Sequence, residues 1–189
     1  MDKIIEYDTE LYLFLNNLGN PTWDPFWLLI TYKWTWIPFY GFLLYLIFRK
    51  FGVKGTIITA VIIALLITAT DQLANVFKHG FERPRPCRQE GVMEYARYIA
   101  ERCGRFGYFS AHASSSTGLA VIVGLILKTF HPKLLYLMLI WAAVVSYSRI
   151  YVGVHYPLDV VTGMLIGAIL GYLFYRLHLY LMQKFNVNF

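Results

Sequence analysis

The chain has 189 residues, of which 58% are hydrophobic and only 15% charged, and its formal net charge is +6. Ordinary soluble domains carry about 25% charged residues, so the composition excludes a typical soluble protein and indicates one integral membrane domain. The basic residues lie between apolar runs rather than in one polar stripe. This pattern argues against a nucleic-acid partner and favours contact with the bilayer headgroups or with anionic ligands.

The N-terminal part of the chain, residues 1–31, is predicted to form an interfacial segment. Residues 9–31 have the pattern of amphipathic helices that lie on a membrane surface, and the sequence GNPTWDP interrupts them.

Five later segments approach the length and apolar character of a membrane crossing, which takes about 20 residues. They are predicted at about Trp34–Phe48, Gly55–Phe77, His112–Leu127, Leu134–Tyr151 and Asp159–Tyr175.

The last of these segments contains Gly163, Gly167 and Gly171, a spacing that lets a neighbouring helix backbone approach closely. The predicted fold class is therefore all-α: a polytopic membrane bundle of about five transmembrane helices plus N-terminal interfacial helices. We expect a single domain over residues 1–189, with its core at about residues 55–175.

Alternating the five segments across the membrane puts the N-terminus, the link 78–110 and the turn 151–158 on one face. The short basic loops RKFGVK and KTFHPK then lie on the other face, and such loops prefer the cytoplasm. The long link is therefore expected outside. The outer face then has an excess of Lys and Arg, which a function in anion binding would explain.

Two cysteines, Cys87 and Cys103, lie in this long link. They are either spectators or partners in a disulfide, which would close a modest ring and contribute roughly 3 kcal/mol. A disulfide would also indicate that the link faces an oxidising compartment. The sequence leaves both alternatives open.

Cationic and polar residues gather at helix ends on the predicted outer face. Cations suit a phosphate group, because an arginine can bind two of its oxygens at once, and a hydroxyl and the first amides of a helix add further donors. The candidate phosphate ligands are Lys78, Arg85, Ser110 and Arg149.

His112, His155 and Asp159 complete this set of residues. One imidazole can attack phosphorus, while the other can protonate the departing oxygen. Asp159 can fix the tautomer of His155, as the orienting acid of a catalytic triad does. The predicted chemistry is phosphoryl transfer with no metal or other cofactor, since the cationic side chains stabilise the developing charge.

The spacings K-x6-R-P, S-x-H and S-R-x5-H-x3-D resemble the three-part signature of the type 2 phosphatidic acid phosphatase (PAP2) superfamily. The first and third parts match in full, whereas residues 109–112 read Phe-Ser-Ala-His where the family usually has Pro-Ser-Gly-His. The resemblance implies that His155 is a nucleophile that forms a phosphohistidine and that His112 is the general acid. It also implies a phosphate cradle made of Lys78, Arg85, Ser110 and Arg149.

The function expected from this resemblance is hydrolysis of a phosphate monoester or diphosphate on a membrane lipid, at the extracytoplasmic face of a bacterial inner membrane. Small members of the family act on undecaprenyl diphosphate, phosphatidylglycerol phosphate, phosphatidic acid or lipid A phosphates, and the sequence selects none of them. A flippase for anionic lipids is the alternative, although it would not require two histidines and an acid at these spacings. The sequence gives no indication of oligomeric state.

Other polar residues have more ordinary interpretations. Asp71 is costly within a span, so it either holds Lys78 or packs with Gln72 and Asn75. The remaining arginines of the long link, Arg83, Arg88, Arg97, Arg102 and Arg105, are expected on a solvated face. The remaining histidines, His79, His131 and His178, are expected at the membrane interface.

Overall fold

The structure, a computed structural model, describes residues 2–187 and folds them into helices. The helices are α1 (Asp2–Asn17), α2 (Asp24–Thr31), α3 (Ile37–Phe81), α4 (Ala111–Leu127), α5 (Leu134–Tyr151) and α6 (Pro157–Lys184), with short 3-10 helices at Lys33–Trp36 and Pro86–Arg88. No β-strand forms within this range. The prediction of an all-α membrane bundle is confirmed.

Gly52 divides helix α3 into two arms. Its 45 residues would extend about 68 Å as one rod, whereas the hydrocarbon core of a bilayer is about 30 Å thick. Gly52 breaks the helix with φ 63° and ψ −168°, a conformation that glycine adopts without steric penalty. The arms, residues 37–51 and 53–81, correspond to the first two predicted spans.

The break in α3 lies at the membrane face opposite the candidate site. Just before it, the Nζ of Lys50 donates a hydrogen bond of 2.7 Å to the carbonyl of Ile126, near the end of α4. The helical stretches Lys33–Phe81, Leu134–Tyr151 and Pro157–Lys184 are long and apolar enough to cross a bilayer, and α4 is a shorter apolar helix. With α3 divided at Gly52, these helices provide about five candidate membrane spans.

The outer surface of the bundle is apolar, as a membrane protein requires. Side chains such as Ile57, Leu65, Leu165 and Ile169 are more than half exposed in the isolated chain. Inside the bundle, apolar side chains from α3, α4, α5 and α6 form one continuous core. The exposed side chains are therefore the lipid-facing surface of an integral membrane protein.

The glycines of α6 bring its backbone against α4. A Cβ atom on Gly167 would lie 2.2 Å from the carbonyl oxygen of Ser114, and one on Gly163 would lie 2.6 Å from that of Ser110. Only a residue without a side chain permits this approach. The packing sets the first turn of α4 beside the first turn of α6, which brings the second and third motifs together.

Helix α6 continues to Lys184, beyond the end predicted at Tyr175. His178 is fully buried, and its Nε2 lies 2.9 Å from the hydroxyl of Thr59. The expectation that His178 lies at the interface is wrong, because Thr59 supplies a polar partner inside the bundle. Residues 188–189 of the sequence lie outside the described range.

Helix α1 lies across the end of the bundle that carries the motifs. One side of α1 exposes Ile4, Leu11 and Phe14, as expected of an interfacial helix. On its other side Asn16 is fully buried and donates to the carbonyl oxygens of Ile150 and Tyr151 at 3.0 and 2.9 Å. The N-terminal segment is therefore attached to the end of α5.

Candidate active site

The residues of the three motifs lie at the ends of different helices on one side of the bundle. Lys78 is in the last turn of α3, Arg85 follows in the link, Ser110 caps α4, His112 is in its first turn, Arg149 is in the last turn of α5, His155 is in the α5–α6 turn and Asp159 is in the first turn of α6. Helix ends are where polar side chains can gather next to an apolar bundle and meet a ligand at its rim.

Residues 104–107, here called the strap, cross directly over these side chains. The amide of Gly107 donates to the carbonyl of Arg83 at 2.9 Å, and the amide of Arg85 donates to that of Arg105 at 3.4 Å. A Cβ atom on Gly107 would lie 3.1 Å from Oδ2 of Asp159 and 3.7 Å from Nδ1 of His155. The strap therefore lies in close contact with the catalytic candidates.

The side chains of His155 and Asp159 form a buried pair. Nδ1 of His155 lies 3.3 Å from Oδ2 of Asp159, and that oxygen also accepts a hydrogen bond of 3.0 Å from the amide of Tyr156. Asp159 is fully buried. The contact at Nδ1 leaves the other ring nitrogen, Nε2, for chemistry on a ligand.

Three cations act on His155 from around the site. Burial, followed by the positive charges of Arg85, Arg149 and Lys78, lowers the pKa of His155 well below 6.5, and a hydrogen bond to the backbone of Gly107 acts in the opposite direction. This environment favours the neutral imidazole, which is the form that can act as a nucleophile.

His112 shares this electrostatic environment. The same three cations and the ring of His155 all interact with it. The two imidazoles therefore lie within electrostatic range of each other at one end of the bundle.

The arginines of the site keep hydrogen-bond donors available. Nε of Arg85 donates to the carbonyl of Phe106 at 2.9 Å, and an Nη of Arg149 donates to the hydroxyl of Thr31. Nε of Arg149 is buried and has no hydrogen-bond partner within residues 2–187. A buried charged donor without an acceptor is costly, and a phosphate oxygen would satisfy it.

The arrangement suits a tetrahedral anion. Within the described part of the chain, no group of three or more His, Cys, Asp or Glu residues could hold a metal ion. The positive charge around His155 is supplied by Lys78, Arg85 and Arg149. Cationic side chains arranged in this way can stabilise the charge of a phosphoryl group in transfer.

Arg83 joins two carboxylates and does not lie on a solvated face, so that prediction is wrong. Its Nη1 lies 2.8 Å from Asp159 and its Nη2 lies 2.6 Å from Asp8, and only 17% of its side chain is exposed. The sequence carried one signal for this, since Arg83 and Arg85 alternate with Pro84 and Pro86. In an extended segment, residues two apart lie on the same side.

Among the other arginines of the link, Arg97 forms an ion pair, whereas Arg88, Arg102 and Arg105 are exposed. Arg97 pairs with Asp24 at 2.8 Å, so its assignment to a solvated face is also wrong. Arg88 is exposed and donates to the carbonyl of Cys103 at 3.1 Å. Arg102 and Arg105 are exposed, as expected.

Asp71 is exposed on the surface of α3, and no ion pair joins it to Lys78 among the described residues. Residues 71 and 78 are separated by about 10 Å along the helix axis, whereas side chains meet at spacings of three or four. The carboxylate acts on Lys78 only through longer-range attraction.

Cys87 and Cys103 form a disulfide that closes a segment of the long link. The strap begins at the residue after Cys103. The disulfide therefore ties the strap to the segment that follows Arg85 and Pro86.

Comparison with known proteins places this site in a family. The sequence matches the PAP2 superfamily over residues 56–183, so α1, α2 and the first arm of α3 lie outside the match. The lipid A 4'-phosphatase of Bacteroides thetaiotaomicron is 38% identical over 179 residues, which cover 93% of this chain and 78% of the relative. That of Porphyromonas gingivalis is 33% identical over 184 residues, 95% of this chain and 76% of the relative.

A solved structure shares the architecture. The crystal structure of Aquifex aeolicus LpxE superposes with a TM-score of 0.70 at 26% identity, and the match covers 88% of this chain and 93% of that one. Nothing in these comparisons supports the flippase alternative. The chain therefore belongs to the PAP2 superfamily and is a membrane lipid phosphatase.

Proposed function

We propose that the protein hydrolyses a phosphate monoester of a lipid A-type glycolipid and releases the phosphate, at the extracytoplasmic face of a bacterial inner membrane. The observation that carries the chemistry is the buried pair of His155 and Asp159, which three cations surround. The choice of lipid is supported by the two relatives that are lipid A 4'-phosphatases and match more than nine-tenths of this chain.

The first step is phosphoryl transfer to His155. Lys78, Arg85, Ser110 and Arg149 bind the phosphate oxygens and hold phosphorus in front of Nε2. A bond forms between Nε2 and phosphorus while the bond from phosphorus to the lipid oxygen breaks. His112, whose protonated form is favoured by the negative charge of the bound phosphate, gives its proton to that oxygen. Asp159 accepts a hydrogen bond from the N–H at Nδ1, without taking the proton, and stabilises the positive charge that develops on the ring.

The second step is hydrolysis of the phosphohistidine. A water molecule loses a proton to His112 as its oxygen attacks phosphorus, and the bond between phosphorus and Nε2 breaks. Inorganic phosphate leaves, and both histidines return to their starting protonation states. The cradle of cations stabilises both transition states.

The disulfide supports the proposed location of the site. Disulfides persist in oxidising compartments such as the bacterial periplasm, and Cys87–Cys103 lies beside the strap that covers the site. The apolar outer surface of α3 and α6 would let a lipid reach the helix ends sideways, with its acyl chains remaining in the bilayer.

A panel of lipid phosphates tests the proposal. The purified protein in detergent would be given a lipid A-type glycolipid, undecaprenyl diphosphate, phosphatidylglycerol phosphate and phosphatidic acid, and phosphate release would be measured. The proposal predicts the highest kcat/KM for the glycolipid, with mass loss at the 4' position by mass spectrometry. A higher kcat/KM for any other lipid would contradict the choice of substrate.

A further inference from the structure

The catalytic candidates are connected to helix α1 through a chain of alternating charges. His155 contacts Asp159 at 3.3 Å, Asp159 contacts Arg83 at 2.8 Å, and Arg83 contacts Asp8 at 2.6 Å. Each carboxylate contacts Arg83 through a different guanidinium nitrogen, so the planar fork of Arg83 is held from both sides. Asp8 is therefore linked to the nucleophile candidate by three successive contacts, through Asp159 and Arg83.

Asp8 also contacts the first turn of α6 directly. Its Oδ1 accepts a hydrogen bond of 2.8 Å from the amide of Leu158, the residue that precedes Asp159. Its Oδ2 binds Arg83, and Asp8 is only 7% exposed. A buried carboxylate is stable only when such partners compensate for its lost hydration. Asp8 is thus a specific contact of the site rather than a surface charge.

The orientation of Arg83 is fixed by one further contact. Its guanidinium carbon lies 4.1 Å from the ring centre of Tyr156, over the face of the ring. With Asp8 on one side and Tyr156 beneath, the guanidinium directs Nη1 at Oδ1 of Asp159. Oδ2 of Asp159 then remains directed at His155.

The N-terminal segment has docking contacts other than those of Asp8. Asn16 already binds the end of α5, and the ion pair of Arg97 with Asp24 anchors the start of α2. Asp8 differs from both, because its partner arginine touches the acid that orients His155. A role of Asp8 in positioning Asp159 can therefore be distinguished from a role in docking the N-terminal segment.

We propose that Asp8 and Arg83 are positioning residues for the phosphatase, and that α1 thereby forms part of the catalytic machinery. Arg83 holds the Asp159 carboxylate in the orientation that directs Nε2 of His155 at phosphorus, and Asp8 holds Arg83. This inference rests on the proposed role of His155. Asp8 lies outside the segment that matches the family, so its role could not be transferred from the family motifs.

The test compares two asparagine substitutions that each break one ion pair of the N-terminal segment. Asp8→Asn keeps a carbonyl oxygen for the amide of Leu158 and removes the charge that holds Arg83. Asp24→Asn is the matched control, because it weakens the Arg97 ion pair, which does not reach Asp159. Steady-state kinetics on any lipid phosphate that the wild type hydrolyses, together with the melting temperature, would be measured for both variants in detergent.

The proposal expects kcat to fall about 10-fold in Asp8→Asn, as is typical when a group that orients a catalytic residue is lost, with KM changed by less than about twofold. Asp24→Asn should keep wild-type kcat, even where its melting temperature falls as far as that of Asp8→Asn. Equal loss of kcat in both variants, or wild-type kcat in Asp8→Asn, would overturn the proposal.

A double substitution tests whether Asp8 acts through Arg83. Arg83→Gln should lower kcat by about 100-fold, since small misplacements of reacting groups have effects of that size. Adding Asp8→Asn to it should cause no further loss, whereas independent effects would multiply. Arg83→Lys keeps one charged donor and should recover part of the activity, so it also serves if Arg83→Gln does not fold.

The outcome for His155 separates this inference from the proposed function. If His155→Ala retains wild-type turnover, the proposed mechanism fails and the inference fails with it. If His155→Ala is inactive but Asp8→Asn and Asp24→Asn behave alike, only the role of α1 fails.

Discussion

The amide of Ser110 donates a hydrogen bond of 3.0 Å to the carbonyl oxygen of Asp159, and this contact joins the second motif to the third. Ser110 caps α4 and Asp159 lies in the first turn of α6. Glycine packing between the two helices allows their first turns to meet at this distance. The relative placement of His112 and His155 therefore depends on the contact between α4 and α6.

The close packing at the glycines of α6 should contribute measurably to the stability of the protein. Gly167→Ala would place a methyl group 2.2 Å from the Ser114 carbonyl, so the helices must separate, at a cost of about 1–3 kcal/mol. Gly41→Ala is the control, because a Cβ atom there meets nothing within 4 Å and alanine favours a helix. Thermal unfolding in detergent should show a lower melting temperature for the first variant alone. Identical melting temperatures would show that the contact between α4 and α6 is loose.

The guanidinium of Arg149 should be needed for more than its charge. Arg149→Lys keeps a cation but loses the buried Nε donor and the hydrogen bond to Thr31. We expect kcat/KM to fall about 10- to 100-fold, the value of a hydrogen bond to a charged group. Arg105→Lys, at an exposed position of the strap, is the matched control and should keep wild-type kcat/KM. A fully active Arg149→Lys would remove Arg149 from the phosphate cradle.

The low pKa of His155 predicts where activity declines on the acidic side of the pH profile. Burial and three cations lower this pKa below 6.5, so the neutral, nucleophilic ring persists as the pH falls through 6.5. Activity that depends on this ring should therefore decline only at lower pH. Arg85→Gln removes one positive charge, which raises the pKa of His155 and moves the acidic limb of its residual kcat/KM to higher pH.

The phosphate of the substrate titrates in the same way with the wild type and with Arg85→Gln. A difference between their pH profiles on the same substrate therefore comes from the enzyme. A limb that stays in place in Arg85→Gln, or moves to lower pH, would contradict the electrostatic account of His155.

The disulfide predicts an effect on the stability of the protein, and it predicts which side of the membrane the long link faces. Replacing Cys87 and Cys103 by serine should lower the free energy of unfolding by roughly 3 kcal/mol, the value for a ring of modest size, and should reduce activity because the strap loosens over the site. In intact cells, a membrane-impermeant thiol reagent should label the wild type only after reduction. Labelling without reduction would show that the cysteines are not bonded, and failure to label after reduction would place the link in the cytoplasm.

The sequence predicted the transmembrane helices well, because apolar length and glycine spacing are local properties of the chain. The motif residues could also be found from their spacing. The contact between Asp8 and Arg83 spans 75 positions. The local alternation of Arg83 and Arg85 could indicate that Arg83 faces the site, but no local pattern indicates that Asp8 is its partner. His178 was misplaced because its buried partner, Thr59, is 119 positions away.

The cationic cradle predicts that the reaction needs no metal, and this prediction has its own test. Because Lys78, Arg85 and Arg149 supply the positive charge at the site, phosphate release should continue unchanged in excess EDTA. Loss of activity in EDTA that magnesium restores would show that a metal takes part.

Trapping of the covalent intermediate tests the central claim most directly. The protein would be mixed with a lipid substrate carrying 32P in its phosphate, quenched in alkali within milliseconds and digested, and the labelled residue would be identified by mass spectrometry. The account predicts phosphate on His155 in the wild type, and neither label nor turnover in His155→Ala. Label on another residue, or turnover retained in His155→Ala, would contradict it.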